Sequence, residues 1–279
     1  MSKPPKVKFY PSALTISGSD SGGGAGIAAD LRTFNAFGVY GCCAVTAVNA
    51  QNPSAIHRSD RMDAQSVSAQ IDAVRERIPV KFVKTGILYS TEIISAVIEA
   101  VKKYNFKVIC DPAMISANGS RVLKDEAAAL VREELFPLAS WIVPNPAEAE
   151  YLTGKKITST GDMLDAATQI QEKYQASVWL TGGFGYTADA IVKDGKRYLL
   201  TAPVPEVRPM TALGEKCTLT SALTAMLALE MPWKQAVCGS KSFVFGSLEQ
   251  CVDIGPGVQA MYPATEDFIQ LVKLSPVEK

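Results

Sequence analysis

Short apolar runs alternate with longer stretches of helical periodicity along most of the chain. The runs at 13–17 (ALTIS), 44–48 (AVTAV), 81–84 (KFVK), 107–110 (KVIC), 141–143 (WIV) and 177–180 (SVWL) predict buried strands. Between them, Ile27, Leu31, Phe34 and Phe37 share one helix face that Gly38 can end. Val67, Ile71 and Val74 repeat the pattern, as do Ile93, Val97 and Val101. Strand followed by helix, several times over, implies right-handed crossovers and a mostly parallel sheet covered on both faces. The expectation is an α/β fold in a single domain over 1–279, with 1–11 a flexible leading segment.

Sheets of this kind bind ligands at the carboxyl ends of their strands. The segments that follow the predicted strands are GSDSGGGAG, NAQNP, TGILY, DPAM, PNPAE and TGGFG. Turns favour the same residues, but polar turns gathered on one edge also describe the rim of an active site. Composition adds little beyond this. Hydrophobic residues make up 47% and charged residues 20%, an ordinary globular balance, and the formal net charge of +0 suggests no nucleic-acid or membrane partner. No apolar stretch is long enough to span a bilayer, and the first residues do not read as a secretory signal. Six irregularly spaced cysteines form no CxxC pair, so reduced thiols in the cytoplasm are expected. His57 is the one histidine, so any general base is a carboxylate, a thiolate or water.

Three segments carry candidate chemistry. Gly18 to Gly26 lets backbone approach a ligand and opens a helix, but no Gly-Lys-Ser/Thr follows, so it is not a Walker A loop. Asp30, on that helix, lies on a different face from Leu31 and Phe34 and by itself reads as a solvated charge. Asn145 and Glu148 can face one site as oxygen ligands for magnesium, or serve equally as a helix-capping pair. The turn Ala212-Leu213-Gly214-Glu215-Lys216-Cys217-Thr218 runs into an apolar helix. It can present amides to a phosphate and place Cys217 where a thiol's pKa tends to fall, although a buried inert cysteine is the commoner outcome.

In order and spacing, ALTISGSDSGGGAGIAADLRTFNAFGVYG, AVTAVNAQN, VKTGIL, DPAM, PNPAEAEYL, TGG and CTLTSALTA resemble the hydroxymethylpyrimidine and hydroxymethylpyrimidine-phosphate kinases of thiamine biosynthesis. The resemblance covers about residues 12–260. It implies a ribokinase-like three-layer sandwich, ATP with Mg²⁺, and often a homodimer. It also implies that Gly18, Asp30, Gln51 and Gly86 bind the pyrimidine, Gln51 reading its aminopyrimidine edge with an amide that both donates and accepts. On the nucleotide side it points to Asn145, Thr181, Gly183 and Thr218, with Asp111 and Glu148 for the metal. Cys217 matches the catalytic-base position, with Gly214 and Lys216 in the anion hole beside it.

The departures cluster on the triphosphate side. Where the family reads Gly-Thr-Gly-Cys, this chain reads Gly214-Glu215-Lys216-Cys217, with a carboxylate where phosphate charge gathers and a lysine that can offset it. Ala117, Thr181 and Phe184 stand where many members have lysine, lysine and histidine. The resemblance therefore leaves two further expectations open: a pyrimidine- or pyridoxal-binding homologue with impaired catalysis, and a pyridoxal or pyridoxine kinase.

Overall fold

The computed structural model describes residues 10–116, 119–182, 188–205, 212–264 and 266–277. Its strands are β1 (Ser12–Gly18), β2 (Tyr40–Asn52), β3 (Ala55–Arg61), β4 (Phe82–Thr85), β5 (Lys107–Cys110), β6 (Ala139–Ile142), β7 (Ser177–Leu180), β8 (Ala188–Lys193), β9 (Lys196–Thr201), β10 (Val252–Gly255), β11 (Val258–Ala260) and β12 (Lys273–Val277). Its helices are α1 (Gly26–Ala36), α2 (Ala64–Arg77), α3 (Thr91–Tyr104), α4 (Asp125–Leu130), α5 (Pro146–Thr153), α6 (Thr160–Tyr174), α7 (Glu215–Ala228) and α8 (Trp233–Glu249).

Ten strands form one sheet in the order β12-β9-β8-β7-β6-β5-β4-β1-β2-β3. The six from β7 to β2 are parallel, and β3 at one edge and β8, β9 and β12 at the other are antiparallel. Strand periodicity explains why the central strands read as continuous apolar runs. Ile109, Trp141, Trp179 and Ile191 project to one face and pack with Leu219, Leu223 and Val237 of α7 and α8. Their neighbours Val108, Cys110, Ile142, Val178, Leu180, Ala190 and Val192 project to the other, against α2, α3, α4 and α6. Both faces are buried, as the strand–helix alternation predicts.

The predicted helix at 27–37 is α1. Its chain turns at Gly38, which takes φ 68° and whose N–H reaches the Asn35 carbonyl. The run at 44–48 is the middle of the longer β2, which extends beyond the apolar core to pair with β3. The strands β3, β8, β9 and β12 lie outside the predicted set. β3 is exposed along its whole length, so no alternation of burial marks it.

One polar interaction runs through the centre of this apolar frame. The Lys84 ammonium on β4 meets both carboxylate oxygens of Asp30 on α1, at 2.9 and 2.8 Å, and neither side chain has any solvent exposure. Thr15 of β1 and Ser221 of α7 donate to the same carboxylate, at 2.6 and 2.7 Å. Asp30 is therefore no solvated charge. Burial alone would lower the Lys84 pKa, but Asp30, with Cys217 and Asp111 farther out, outweighs it and holds the ammonium above the ordinary lysine range.

Removing one member of a buried pair strands the other charge. Asp30→Asn or Lys84→Met is expected to cost about 3–5 kcal/mol in urea unfolding. The double variant should lose clearly less than the sum of the two, since the pair acts as a unit.

Candidate functional site

The carboxyl ends of β1, β2, β4, β5, β6 and β7 converge on one edge, and the glycine loop after β1 forms its floor. Asp20, nearly buried, shapes that loop by accepting from the amides of Gly22 and Ala25, each at 2.8 Å. The loop is held against the turn before α7. Gly214 takes φ 83°, and a Cβ there would lie 1.9 Å from the Gly24 carbonyl oxygen. Leu213 packs on Gly24 from the same turn. Two segments far apart in sequence therefore touch backbone to backbone, and only glycine at 214 permits it. Gly214 is the N-cap of α7 and has no side chain with which to cap the helix.

On the β2 side, Gln51 is half-exposed. Its backbone is pinned by the Ser21 hydroxyl, which accepts from the Gln51 N–H at 2.8 Å and donates to the Gln51 carbonyl at 2.7 Å. The next inward polar residue, Asn49, donates to the Ser19 carbonyl and accepts from Ser59, and its amide also meets the Tyr89 hydroxyl. Tyr89 is held at φ 63°, a backbone region that side chains other than glycine rarely adopt. Gly18 lies under this network, where a Cβ would come within 3.0 Å of Asn49 Nδ2. At Gly86 a Cβ would meet Ser17 Oγ at 2.3 Å and Lys84 Nζ at 3.1 Å, so glycine there lets the central lysine pass.

Gly18, Gln51 and Gly86 thus share one side of the edge. Asp30 lies beneath it: fully buried in the Lys84 pair, it does not line the rim, and its part in the site is to hold what does. Cys217, at the start of α7, sits above that pair and accepts from the Gly26 amide. Its thiol is raised, not lowered. Burial is the main cause, Asp30 and Asp111 add to it, and Lys84 only partly opposes it. The expected fall at a helix N-terminus is outweighed by desolvation.

The triphosphate side is built on Asn145 and Glu148. They form the capping box of α5: the Asn145 side chain accepts from the Glu148 amide, and Glu148 accepts from the Asn145 amide. The pair also anchors the loop after β5. Asn145 Nδ2 donates to the Ile115 carbonyl at 2.8 Å, and Glu148 Oε1 accepts from the Met114 amide at 2.9 Å. Into this cluster comes Lys216, whose ammonium lies 2.8 Å from Asp111 Oδ1 and 2.5 Å from Glu148 Oε2. Burial works to lower the Lys216 pKa, but Asp111 and Glu148 override it and hold the ammonium above the ordinary range.

These carboxylates do not fit the magnesium expected of them. Asp111 Oδ1 and Glu148 Oε2 each accept both a backbone amide and the Lys216 ammonium, which stands where the metal would have to sit. Glu215 feels a different set of charges. Burial raises its pKa and Asp189 adds to this, while Lys241 opposes. Lys241 itself pairs with the buried Asp189, which accepts from Trp179 Nε1 and the Gly182 amide. Thr181 hangs from the Pro144 carbonyl, and Thr218 is buried beside a small cavity with Ala29, Thr33 and Phe243. Gly183, Ala117 and Phe184 fall outside the described residues.

Sequence reasoning did not single out Asp20, Asn49, Lys84, Tyr89 or the Lys241–Asp189 pair. Lys84 carried a usable signal, a lysine in an otherwise apolar central strand. The roomiest groove described, about 800 Å³ and mostly apolar, lies at the far end of α1 around Phe37, Met226 and Phe243, and contains none of these residues.

Comparison with known proteins agrees with this geometry. The family model described as phosphomethylpyrimidine kinase matches residues 20–262. A hydroxymethylpyrimidine/phosphomethylpyrimidine kinase of Rhizobium meliloti is 37% identical over 250 residues, covering 88% of this chain and 94% of the relative. The crystal structure of phosphomethylpyrimidine kinase from Clostridium difficile is 39% identical and superposes with a TM-score of 0.75 over 84% of this chain and 97% of that one. The pyridoxal kinase of Staphylococcus aureus in complex with AMP-PCP is 27% identical, with a TM-score of 0.85 over 97% of this chain and 100% of that one. The fold is that of these kinases, and the chain belongs to the phosphomethylpyrimidine kinase family of phosphotransferases.

Proposed function

We propose that this protein uses ATP to phosphorylate the hydroxymethyl group of hydroxymethylpyrimidine, or of its monophosphate, in thiamine biosynthesis. The observation that carries this reading is Gln51. Its backbone is fixed from both sides by Ser21, while its half-exposed side-chain amide has no hydrogen-bond partner among the described residues. An amide positioned in this way can donate to a ring nitrogen and accept from an amino group on one edge of the substrate.

The rest of the edge supplies positioning and charge, which phosphoryl transfer chiefly needs. The amides at the start of α7 and the Lys216 ammonium face the transferred phosphoryl oxygens. Cys217 stands at the substrate hydroxyl. With its thiol held neutral by burial, it orients the hydroxyl while the new O–P bond forms, the bond from phosphorus to ADP breaks and the hydroxyl proton passes to an oxygen of the transferred phosphoryl group, so that it is no standing thiolate base. Thr181, held by the Pro144 carbonyl, borders the nucleotide. The charge of Lys241 partly offsets that of Glu215.

Pyridoxal is the second substrate to weigh, because the Staphylococcus aureus pyridoxal kinase superposes over nearly the whole chain. A homodimer is supported by the exposed edge strand β3, where Ile56 lies exposed opposite Gln51, with Val48 of β2 exposed farther along the same ladder. The six cysteines, all unpaired in the structure, support a reducing compartment such as the cytoplasm. No helix among the described residues is long and apolar enough to cross a membrane.

Incubation with ATP and either hydroxymethylpyrimidine or pyridoxal, read by mass spectrometry, is expected to give the phosphorylated pyrimidine faster. Faster turnover of pyridoxal would overturn the substrate assignment. Gln51→Ala should raise KM for the pyrimidine by an amount equivalent to about 1–3 kcal/mol, the cost of an unpaired polar partner. Cys217→Ala should lower kcat about tenfold or more with KM little changed, the pattern of an interaction made mainly in the transition state. Ile56→Asp should shift a dimer toward monomer in size-exclusion chromatography with light scattering.

A further inference from the structure

Lys216 is an unusual residue for its position. It is the second residue of α7, where the helix dipole disfavours a cation, so its placement needs a specific cause. The cause is visible in the two carboxylates that converge on one atom of it: Asp111 from the end of β5 and Glu148 from the first turn of α5. Glu148 is completely buried and Asp111 nearly so, and each is fixed by backbone amides before the lysine arrives. A pair of rigid, buried acids on different elements, aimed at a common point beside a phosphate-binding turn, calls for a positive charge at that point. In this chain the charge is covalently attached.

We infer that the Lys216 ammonium takes the place of a divalent cation between Asp111 and Glu148, so that this protein meets the phosphates of its nucleotide with a tethered charge in place of a metal ion held by the protein. Three features agree. Magnesium demands near-octahedral oxygen ligands at about 2.0–2.1 Å, whereas here an ammonium already sits on one oxygen of each acid, Asp111 Oδ1 and Glu148 Oε2. An ammonium has three donors, and Asp111 and Glu148 account for two of them, leaving one for a phosphate oxygen. Lys216 also starts the same helix whose free amides face the anion, so the charge is placed where phosphoryl oxygens gather. The inference rests on the kinase reading for the identity of the nucleotide, but not for the position of the charge.

The test is a Mn²⁺ titration followed by electron paramagnetic resonance of the free ion, without nucleotide and with ADP, corrected for what ADP binds alone. The native protein is expected to retain no Mn²⁺ in either condition. Lys216→Gly is expected to gain one site at least about tenfold tighter than anything in the native protein, a difference of about 1.4 kcal/mol or more. Adding Asp111→Asn should abolish that site. Circular dichroism checks the fold of each variant, and Lys216→Met, which keeps the helical side-chain stem, serves in the same role should the glycine variant be unfolded. One equivalent of Mn²⁺ on the native protein that Asp111→Asn removes would overturn the inference, with no variant of Lys216 required. A folded Lys216→Gly or Lys216→Met that gains no site would also overturn it, because the lysine would then not be what excludes the metal. These outcomes are read from bound metal alone, so a failure to phosphorylate hydroxymethylpyrimidine would count against the kinase reading and leave this result standing.

Discussion

A salt bridge that water cannot reach holds the working edge of this protein together. Asp30 and Lys84 join α1 to β4, and the hydroxyls of Thr15 and Ser221 bring β1 and α7 onto the same carboxylate. Each charge would be costly to bury alone, so each depends on the other being in place. Above the pair lie the residues that face ligand. Gly86 is glycine so that Lys84 can pass, and Cys217 receives its electrostatic surroundings from the pair below. The geometry of the rim follows from a contact that the substrate never touches.

The same logic recurs on the triphosphate side. Asp111 and Glu148 are fixed by backbone amides and face inward, and Lys216 balances them. Farther along, Asp189 is held by Trp179 and the Gly182 amide and balanced by Lys241, whose charge also acts on Glu215. Asp111 and Glu148 share one lysine from α7, and Asp189 takes one from α8. Glu215 and Lys216, which look in sequence like two damaging changes in an anion hole, go to different partners in space. Glu215 feels the charges of Lys241 and Asp189, and Lys216 pairs with Asp111 and Glu148.

The central architecture was legible because it is periodic. The runs at 107–110, 141–143 and 177–180 are strands buried on both faces, and the spacing of Ile27, Leu31 and Phe34 gives α1 its packed side. The edges were not legible, because β3 is exposed throughout and has no pattern of burial to betray it. Asp30 was misread for a related reason. A lone acid on a helix looks solvated unless its partner is seen, and that partner is 54 residues away in sequence. Asn145 and Glu148 had two readings of equal standing, a capping pair and a ligand pair, because a capping box and a metal site can use the same residues at the same spacing. The structure shows the capping box, and it also shows Glu148 spending its remaining capacity on Lys216.

The contact between Gly214 and Gly24 has a consequence for how the protein is made. The carbonyl of Gly24 fills the space that a side chain at 214 would need, and Ser221 of the following helix completes the partners of Asp30 across 191 positions of chain. During synthesis the glycine loop leaves the ribosome long before the segment that locks it. Until that segment emerges, Asp30 lacks its Ser221 partner and the glycine loop has nothing packed against Gly24. The binding edge is therefore among the last features to be set. It cannot be divided into separately folding halves, since each half holds one surface of the same interlock.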